Sequence, residues 1–227
     1  MKHVTLQINK KAVVQSEKQK RIKSELRSSV GYSLYNGWGN NQSMYGYHSY
    51  TLDDVNITAQ RNPKMRLDEF RKFIDFTDKN VLDFGCNVGA MLHHLPEIKE
   101  GIGIDFDPKC INAAANIAEI LEYTNQKFYV HDCDKDSYKE LKDKITFKPD
   151  VIFLLSLGSW IQTWRDLYSF CLEYPEVFIV LEINNEDEGK PQLKFFRENG
   201  YEPELIVNHS LDDSTNNNRR RTYLIKK

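Results

Sequence analysis

From residue 80 onward, short apolar runs alternate with longer stretches in which apolar residues recur at helical spacing. The runs are rich in β-branched and aromatic residues and predict strands at residues 81–84, 101–105, 128–130, 150–155, 177–182, 204–207 and 221–225. The intervening stretches predict helices at residues 90–95, 108–123, 137–144, 160–173 and 191–199. This alternation is typical of an α/β fold with a doubly wound, mostly parallel seven-stranded sheet and an antiparallel last strand. Such sheets bind ligands at the carboxyl ends of their strands.

The first 30 residues predict a basic amphipathic helix. Four-residue steps connect Val14, Lys18, Ile22, Leu26 and Val30, and only the lysine interrupts the apolar stripe. The segment holds eight Lys or Arg against two Glu, which is +6, so the remainder of this −2 chain carries −8. The basic face either binds phosphate or RNA, or is a solvated charged face of a helix docked along one edge.

An aromatic segment follows at residues 31–50, with six Tyr or Trp among many glycines and asparagines and no helical period. We interpret it as a lid over cofactor and substrate; the alternative is an irregular segment packed on the sheet edge. Residues 58–70 then predict a lead-in helix that starts near Pro63, with Met65, Phe70, Phe73 and Ile74 on its apolar face. We therefore divide the chain into an extension, 1–78, and a ligand-binding domain, 79–227.

Composition excludes several classes of protein. The 227 residues carry a net charge of −2 with 28% charged residues, which does not fit a nucleic-acid packaging protein. No apolar run reaches the roughly 18 residues that span a bilayer, so we expect no membrane partner. The four cysteines have no C-x-x-C spacing, which predicts reduced thiols, no metal site and a cytoplasmic location.

The most informative stretch joins the first predicted strand to the helix after it, from Asp83 through Gly85 to Gly89. Two glycines in a short turn bring bare backbone close to a ligand. Asp83 ends a strand that should be buried on both faces, and a buried carboxylate needs a partner. An acid here would repel a pyrophosphate, so the neighbouring end of the ligand is expected to be cationic.

The stretch Asp83-Phe84-Gly85-Cys86-Asn87-Val88-Gly89 resembles the first motif of the class I S-adenosylmethionine-dependent methyltransferases, an acid followed by a G-x-G-x-G-like turn. Asn87 stands where many members have glycine, and asparagine tolerates a positive φ angle better than most residues. The resemblance covers residues 80–227 and implies S-adenosylmethionine as cofactor, with S-adenosylhomocysteine as product. It also implies that Gly85, Cys86, Asn87 and Gly89 contact the cofactor.

The ends of the next strands supply further candidates for cofactor binding. Asp105 lies about 20 residues beyond the first motif, where an acid binds ribose hydroxyls, and Phe106 would cover one face of the adenine. The alternative is that Asp105 and Asp107 only cap the following helix. By resemblance, Asp132 and the backbone of Cys133 would reach the adenine; alternatively they form an Asp-rich turn that starts a helix. Leu155, at the end of the fourth strand, completes the predicted set.

Residues 47–66 are also similar to the segment before the first motif in relatives of the transferase that modifies the tRNA wobble uridine. This similarity implies that Arg61 approaches the methionine carboxylate of the cofactor. If it does not hold, Arg61 is a surface cation.

The acceptor is less clear from the sequence. Candidate catalytic residues are Ser156 and Trp160 after the fourth strand and the possible bases His48, Glu182 and His209. No Asn or Asp followed by Pro-Pro-Tyr occurs there, which argues against amino-directed methylation of bases. We expect a small or medium-sized acceptor bound under the lid. The alternatives are RNA held by the basic arm and Arg219-Arg220-Arg221, a non-catalytic S-adenosylmethionine-binding module, or a nicotinamide-dependent oxidoreductase, which Asp83 disfavours.

Overall fold

The computed structural model describes residues 17–29, 46–214 and 220–227. The strands are β1 (Tyr50–Leu52), β2 (Val55–Ile57), β3 (Asn80–Phe84), β4 (Glu100–Asp105), β5 (Gln126–Val130), β6 (Val151–Leu155), β7 (Phe178–Ile183), β8 (Glu202–Val207) and β9 (Arg221–Lys226). The helices are α1 (residues 17–29), α2 (Pro63–Phe70), α3 (Ala90–His93), α4 (Pro108–Ile120), α5 (Tyr138–Lys144), α6 (Trp164–Leu172) and α7 (Glu186–Glu198).

Seven strands form one sheet in the order β5-β4-β3-β6-β7-β9-β8. Strands β3 to β7 are parallel to one another, whereas β9 is antiparallel to both β7 and β8. The order reverses at β3, so the carboxyl ends of β3, β4 and β6 meet at the switch point where such sheets bind ligands. The predicted fold class is confirmed.

Both faces of the sheet are covered by helices. On β3 and β6, Leu82 and Ile152 face the layer that includes α5, α6 and α7. Val81 and Phe153 face the opposite layer, with α2 and α3. Burial on both faces explains why the sequence of these strands shows continuous apolar runs and no alternation. Within the described ranges, no helix is long and apolar enough to cross a membrane, and all four cysteines are free.

The extension packs on this domain as a third apolar cluster. Ile22 and Leu26 of α1 are buried together with residues of α4 and of the β1–β2 hairpin, which the sequence did not predict. Val14 and Val30, the outer members of the predicted stripe, and residues 31–45 of the predicted lid lie outside the described residues. Glu25 accepts a hydrogen bond from Asn116 of α4 at 2.8 Å, and Lys18 pairs with Asp54 at 2.8 Å.

Three predicted helix details were wrong. Helix α7 begins at Glu186 and not at Pro191, because the Asn185 side chain caps it by accepting the Glu188 N–H at 3.0 Å. Helix α6 begins at Trp164, four residues late, because residues 158–160 form a turn. On α2 the inner face carries Arg66 and Leu67, while Met65 and Phe73 beyond the helix are each 45% exposed.

His94, at the end of α3, is held as a neutral ring. Its Nδ1 lies 2.7 Å from the Ala90 carbonyl and its Nε2 accepts the Thr51 N–H at 3.0 Å, which fixes the proton on Nδ1. Burial lowers the pKa of His94 from 6.5 to about 4. Below about pH 6.5 the unfolded chain therefore protonates His94, whereas in the folded chain this residue stays neutral until the pH approaches about 4.

We expect stability to be lost between about pH 6.5 and about pH 4, with His94 contributing roughly 1.4 kcal/mol per pH unit in this window. Urea unfolding at pH 6.5 and pH 5 measures this loss. Between these two pH values, the free energy of unfolding of His94→Gln should fall less than that of the wild type, by roughly 1.4 kcal/mol per pH unit. The exposed His209→Gln is the matched control and should keep the wild-type slope. Equal slopes for wild type and His94→Gln would refute the assignment.

Candidate active site

The turn between β3 and α3 lies against the end of β4. The N–H groups of Gly85 and Cys86 both donate to the Ile104 carbonyl, at 2.8 and 3.0 Å. Gly85, Asn87 and Gly89 all have positive φ angles, of 69°, 51° and 72°. Asn87 sustains this conformation with its own side chain, whose oxygen accepts the Val88 N–H at 2.9 Å. The departure from glycine at this position therefore leaves the turn geometry intact.

Side chains could not replace the two glycines of the turn. A Cβ on Gly85 would lie 2.6 Å from Leu157 Cδ1, and one on Gly89 would lie 2.6 Å from Phe128 Cε1. Both positions also have the left-handed conformation that side chains disfavour. The turn is thus a cradle of bare backbone.

Asp83 lies at the base of this cradle, within β3, and is 2% exposed. Its Oδ2 atom is buried and accepts no hydrogen bond. Burial, and then the nearby Asp105, raise the pKa of Asp83 well above its ordinary value. A buried acid with an unsatisfied oxygen fits the sequence-based expectation of a cationic ligand group at this point.

Asp105 ends β4 and faces the same turn. Its Oδ2 accepts the Asn87 N–H at 2.9 Å and its Oδ1 accepts the Asp107 N–H at 3.0 Å. The cap of α4 is Asp107, which accepts the Lys109 N–H at 2.8 Å. Asp105 is therefore not the capping residue of this helix, and the side chain of the neighbouring Phe106 is half exposed at the same edge.

Asp132 and Cys133 follow β5 in an Asp-rich turn. Asp132 accepts the Asp134 N–H at 3.0 Å and pairs with Lys135 at 2.7 Å, and the Lys135 hydrogen bond lowers the pKa of Asp132. The helix α5 starts only after this turn, with Ser137 as its cap. The Asp-rich turn expected under the alternative interpretation is therefore present. It lies at the strand end where the adenine contacts were predicted.

At the end of β6, Leu155 is partly buried and Ser156 adopts a positive φ of 58°, unusual for a non-glycine residue. Ser156 Oγ donates to Glu182 and accepts from Arg220 Nη1 at 3.1 Å. Trp160 does not start a helix but lies in the turn that follows, with 57% of its surface exposed.

Beside Ser156 lies a buried group of ionised side chains, here called the arginine cluster, which consists of Arg61, Arg66, Arg220, Glu182, Asp212 and Asp213. Arg61 donates to Asp212 at 2.7 and 3.0 Å and lies 3.3 Å from Glu182 Oε2. Arg66 reaches Glu182 Oε1 at 3.0 Å. The cluster joins the extension, β7 and the loop before β9 at the edge where the β6 strand ends.

The cluster decides several predictions made from the sequence. Arg61 is fully buried, so the surface-cation alternative is wrong; burial opposes its charge, but Glu182 and Asp212 raise the pKa of Arg61 overall. Contact of Arg61 with the cofactor carboxylate stays a prediction. The predicted phosphate contact is wrong for Arg220, which is 5% exposed within the cluster, whereas Arg221 is partly exposed and pairs with Glu186, so its contact with phosphate stays a prediction. Arg219 lies outside the described residues.

The three candidate bases are not equally placed. Glu182 is 1% exposed and its oxygens are engaged by arginines and Ser156. His48 is buried, and burial together with Arg61 lowers its pKa to about 3, which leaves it neutral. His209 is exposed in the loop after β8, with Nε2 3.0 Å from Asn208 Nδ2.

Sequence reasoning missed the partners that complete this edge. They are Tyr47, Arg66, Ser210, Asp212 and Asp213. Two local features of the sequence could have served as signals. Asp212 and Asp213 are adjacent acids in a loop, and Arg61 and Arg66 lie close together where an extended segment leads into helix α2. Pairing across more than 100 residues is not visible in a single sequence.

Comparison with known proteins identifies the family of this chain. The model described as "Methyltransferase domain" matches residues 58–203. The ribosomal protein L11 methyltransferase of Glaesserella parasuis serovar 5 (strain SH0165) is 45% identical over 49 residues, which is 21% of this chain and 17% of that protein.

Two solved structures show the same fold. The structure of EvdMO1 has a TM-score of 0.56 and 13% identity, over 78% of this chain and 43% of that one. The magnesium protoporphyrin IX methyltransferase from Synechocystis PCC 6803, solved with bound SAM, has a TM-score of 0.52 and 17% identity, over 72% of this chain and 79% of that one. The chain thus spans less than half the length of EvdMO1 and a small part of the L11 relative.

The fold is that of the class I S-adenosylmethionine-dependent methyltransferases. Since the family model matches well over half of the chain, the chain belongs to the methyltransferase domain family.

We expect Arg61→Met to destabilise the fold by about 3–5 kcal/mol, because it leaves the three buried acids of the cluster with only Arg66 and Arg220 to balance them. The measurement is urea unfolding at pH 7. Lys64→Met is the matched control, since Lys64 pairs with Asp68 at 2.8 Å, close to the 2.7 Å between Arg61 and Asp212, but at an exposed position, and it should change stability by less than about 1 kcal/mol. Similar effects for the two variants would show that the cluster does not hold this edge together.

Proposed function

We propose that this chain transfers the methyl group of S-adenosylmethionine to a small or medium-sized acceptor bound at the carboxyl end of β6. The observation that carries the proposal is the arrangement of Asp83, the bare-backbone turn and Asp105 at the switch point of the sheet. Family membership supplies the reaction type.

The residues at this edge fit S-adenosylmethionine. The cofactor supplies a methyl group on a positively charged sulfur. Asp83 offers an unsatisfied acidic oxygen to the cationic methionine end, and Asp105 offers acceptor capacity to the ribose hydroxyls. Phe106, Asp132 and Cys133 would surround the adenine, as the succession of strand ends β4 and β5 supports.

The residues around the acceptor are proposed to orient it and to shield it from water, and they contribute less to proton transfer. Ser156 is held by Glu182 and Arg220, so its position is set by rigid, buried neighbours. Trp160 and Leu211 expose apolar surface at the same edge and would cover an apolar part of the acceptor. The aromatic segment at residues 31–50 is proposed to complete the cover. Within its described part, the Tyr47 hydroxyl accepts a hydrogen bond from Arg220 Nη1 at 3.1 Å.

The charges at the border of the site favour a small acceptor over RNA. Acidic side chains flank it on both sides, in the turn after β5 and in the first turn of α7, and they outnumber the lysines and arginine that pair with them. An acidic border repels the phosphates of a polyanion. The RNA alternative rests on α1, where the exposed Lys20 and Arg21 continue the basic first 30 residues.

We expect Asp105→Asn to weaken S-adenosylmethionine binding by about 10- to 100-fold, the range expected for losing hydrogen bonds to a charged group. Isothermal titration calorimetry measures the affinity. The affinity for S-adenosylhomocysteine should fall in the variant as the affinity for S-adenosylmethionine does, whereas NAD should not bind. Asp143→Asn, an exposed acid of α5, should bind like wild type. An unchanged affinity in Asp105→Asn would remove this residue from the site.

A transfer assay with methyl-labelled S-adenosylmethionine and a cell extract tests the acceptor class. We expect the label in the low-mass fraction, resistant to ribonuclease, and incorporation that varies little between 50 and 200 mM salt, two concentrations between which RNA binding weakens by orders of magnitude. Label that is released by ribonuclease and lost at the higher salt would establish RNA as the acceptor and contradict the proposal. Asp105→Asn serves as the low-activity control.

A further inference from the structure

Asp83 and Asp105 bring two carboxyl groups to the ends of adjacent strands. In the register of β3 and β4, Asp83 lies opposite Gly103, two residues before Asp105, and no side chain separates the two acids at that position. Asp83 is 2% exposed and Asp105 is 8% exposed. Two buried acids this near to each other do not both ionise readily in a protein interior.

The surroundings of Asp83 contain no cation to balance it within the described residues. The neighbouring strands present Gly103 on β4 and Phe153 on β6, neither of which is charged. The charged group that interacts with Asp83 is Asp105, which opposes a second negative charge beside it. The thiol of Cys86 also lies close, and around that thiol are Cys110 of α4 and the hydroxyl of Tyr50. Burial raises the pKa of all three groups, so they are neutral at pH 7 and none of them balances a negative charge on Asp83.

The hydrogen bonds decide which of the two acids keeps a proton. Both oxygens of Asp105 accept backbone N–H groups, from Asn87 and Asp107, and such bonds stabilise the ionised form. Asp83 Oδ2 accepts none. The proton therefore belongs on Asp83.

We propose that Asp83 is protonated in the cofactor-free chain and releases one proton to the solvent when the cationic methionine end of the cofactor binds. The O–H bond of the carboxyl group breaks, the proton goes to the buffer, and the carboxylate left behind pairs with the ligand's positive charge. The inference rests on the proposed cofactor site. Recognition is then selective for a cation, because a neutral ligand does not offset the free-energy cost of a negative charge on the buried Asp83.

Burial supports this assignment independently, since it raises the pKa of Asp83 well above the ordinary range of a carboxyl group. Because a proton is released, binding becomes tighter as the pH rises. S-adenosylhomocysteine keeps the ammonium group of the methionine end and should show the same linkage.

Calorimetry of wild-type chain with S-adenosylmethionine at pH 7, in two buffers of low and high ionisation enthalpy, counts the protons. We expect the apparent binding enthalpy to differ between the buffers by an amount that corresponds to about one proton released per cofactor bound. Asp83→Asn should show no dependence on the buffer. Asp143→Asn, which removes an exposed acid of α5 outside the site, should keep the release of about one proton.

The outcomes separate the two proposals. If neither S-adenosylmethionine nor S-adenosylhomocysteine binds wild type in either buffer, the cofactor site itself is wrong. If both bind with the same enthalpy in the two buffers, or if Asp83→Asn still releases a proton, only the proton linkage is overturned. Should Asp83→Asn fail to fold, the wild-type Kd at pH 6 and pH 8 decides: we expect tightening of up to about 100-fold over this range, and an unchanged Kd contradicts the linkage.

Discussion

The functional edge of this protein depends on the close approach of the β3–α3 turn to the end of β4. Two N–H groups of the turn share the Ile104 carbonyl, and a third donates to Asp105, so the turn cannot move without breaking bonds on β4. The positive φ angles of Gly85 and Gly89 make this approach possible, and the absence of side chains there leaves backbone for a ligand. The same approach buries Asp83 with no hydrogen-bond partner for Oδ2, which is energetically costly unless a ligand supplies one.

A second constraint acts on the acceptor side. The arginine cluster balances three arginines against three acids, nearly all of them out of reach of water. Buried ion pairs of this kind contribute little net stability over an apolar core, but removing one partner is strongly destabilising. The cluster therefore holds Ser156, the extension and the loop before β9 in one arrangement.

The seven strands of the main sheet and their order along the chain could be predicted from the sequence, because strands buried on both faces leave continuous apolar runs. Glycine turns and acids at strand ends likewise leave local signals, and Asp83, Asn87 and Asp105 occupy the places predicted for them. The start of α7 could not be predicted from Pro191, because the helix begins five residues earlier, where Asn185 caps it, and contains the proline in its interior. The arginine cluster could not be predicted either, since it pairs residues such as Arg61 and Asp212 whose attraction leaves no periodic pattern.

The central claim, that the β3–α3 turn is the cofactor site, is tested most directly by a crystal structure of the chain with S-adenosylhomocysteine. The account predicts the ligand against residues 85–89, with its ammonium group within about 3 Å of a carboxylate oxygen of Asp83 and its ribose at Asp105. A ligand bound elsewhere, or one bound at the turn with Asp83 still unpaired, would contradict it.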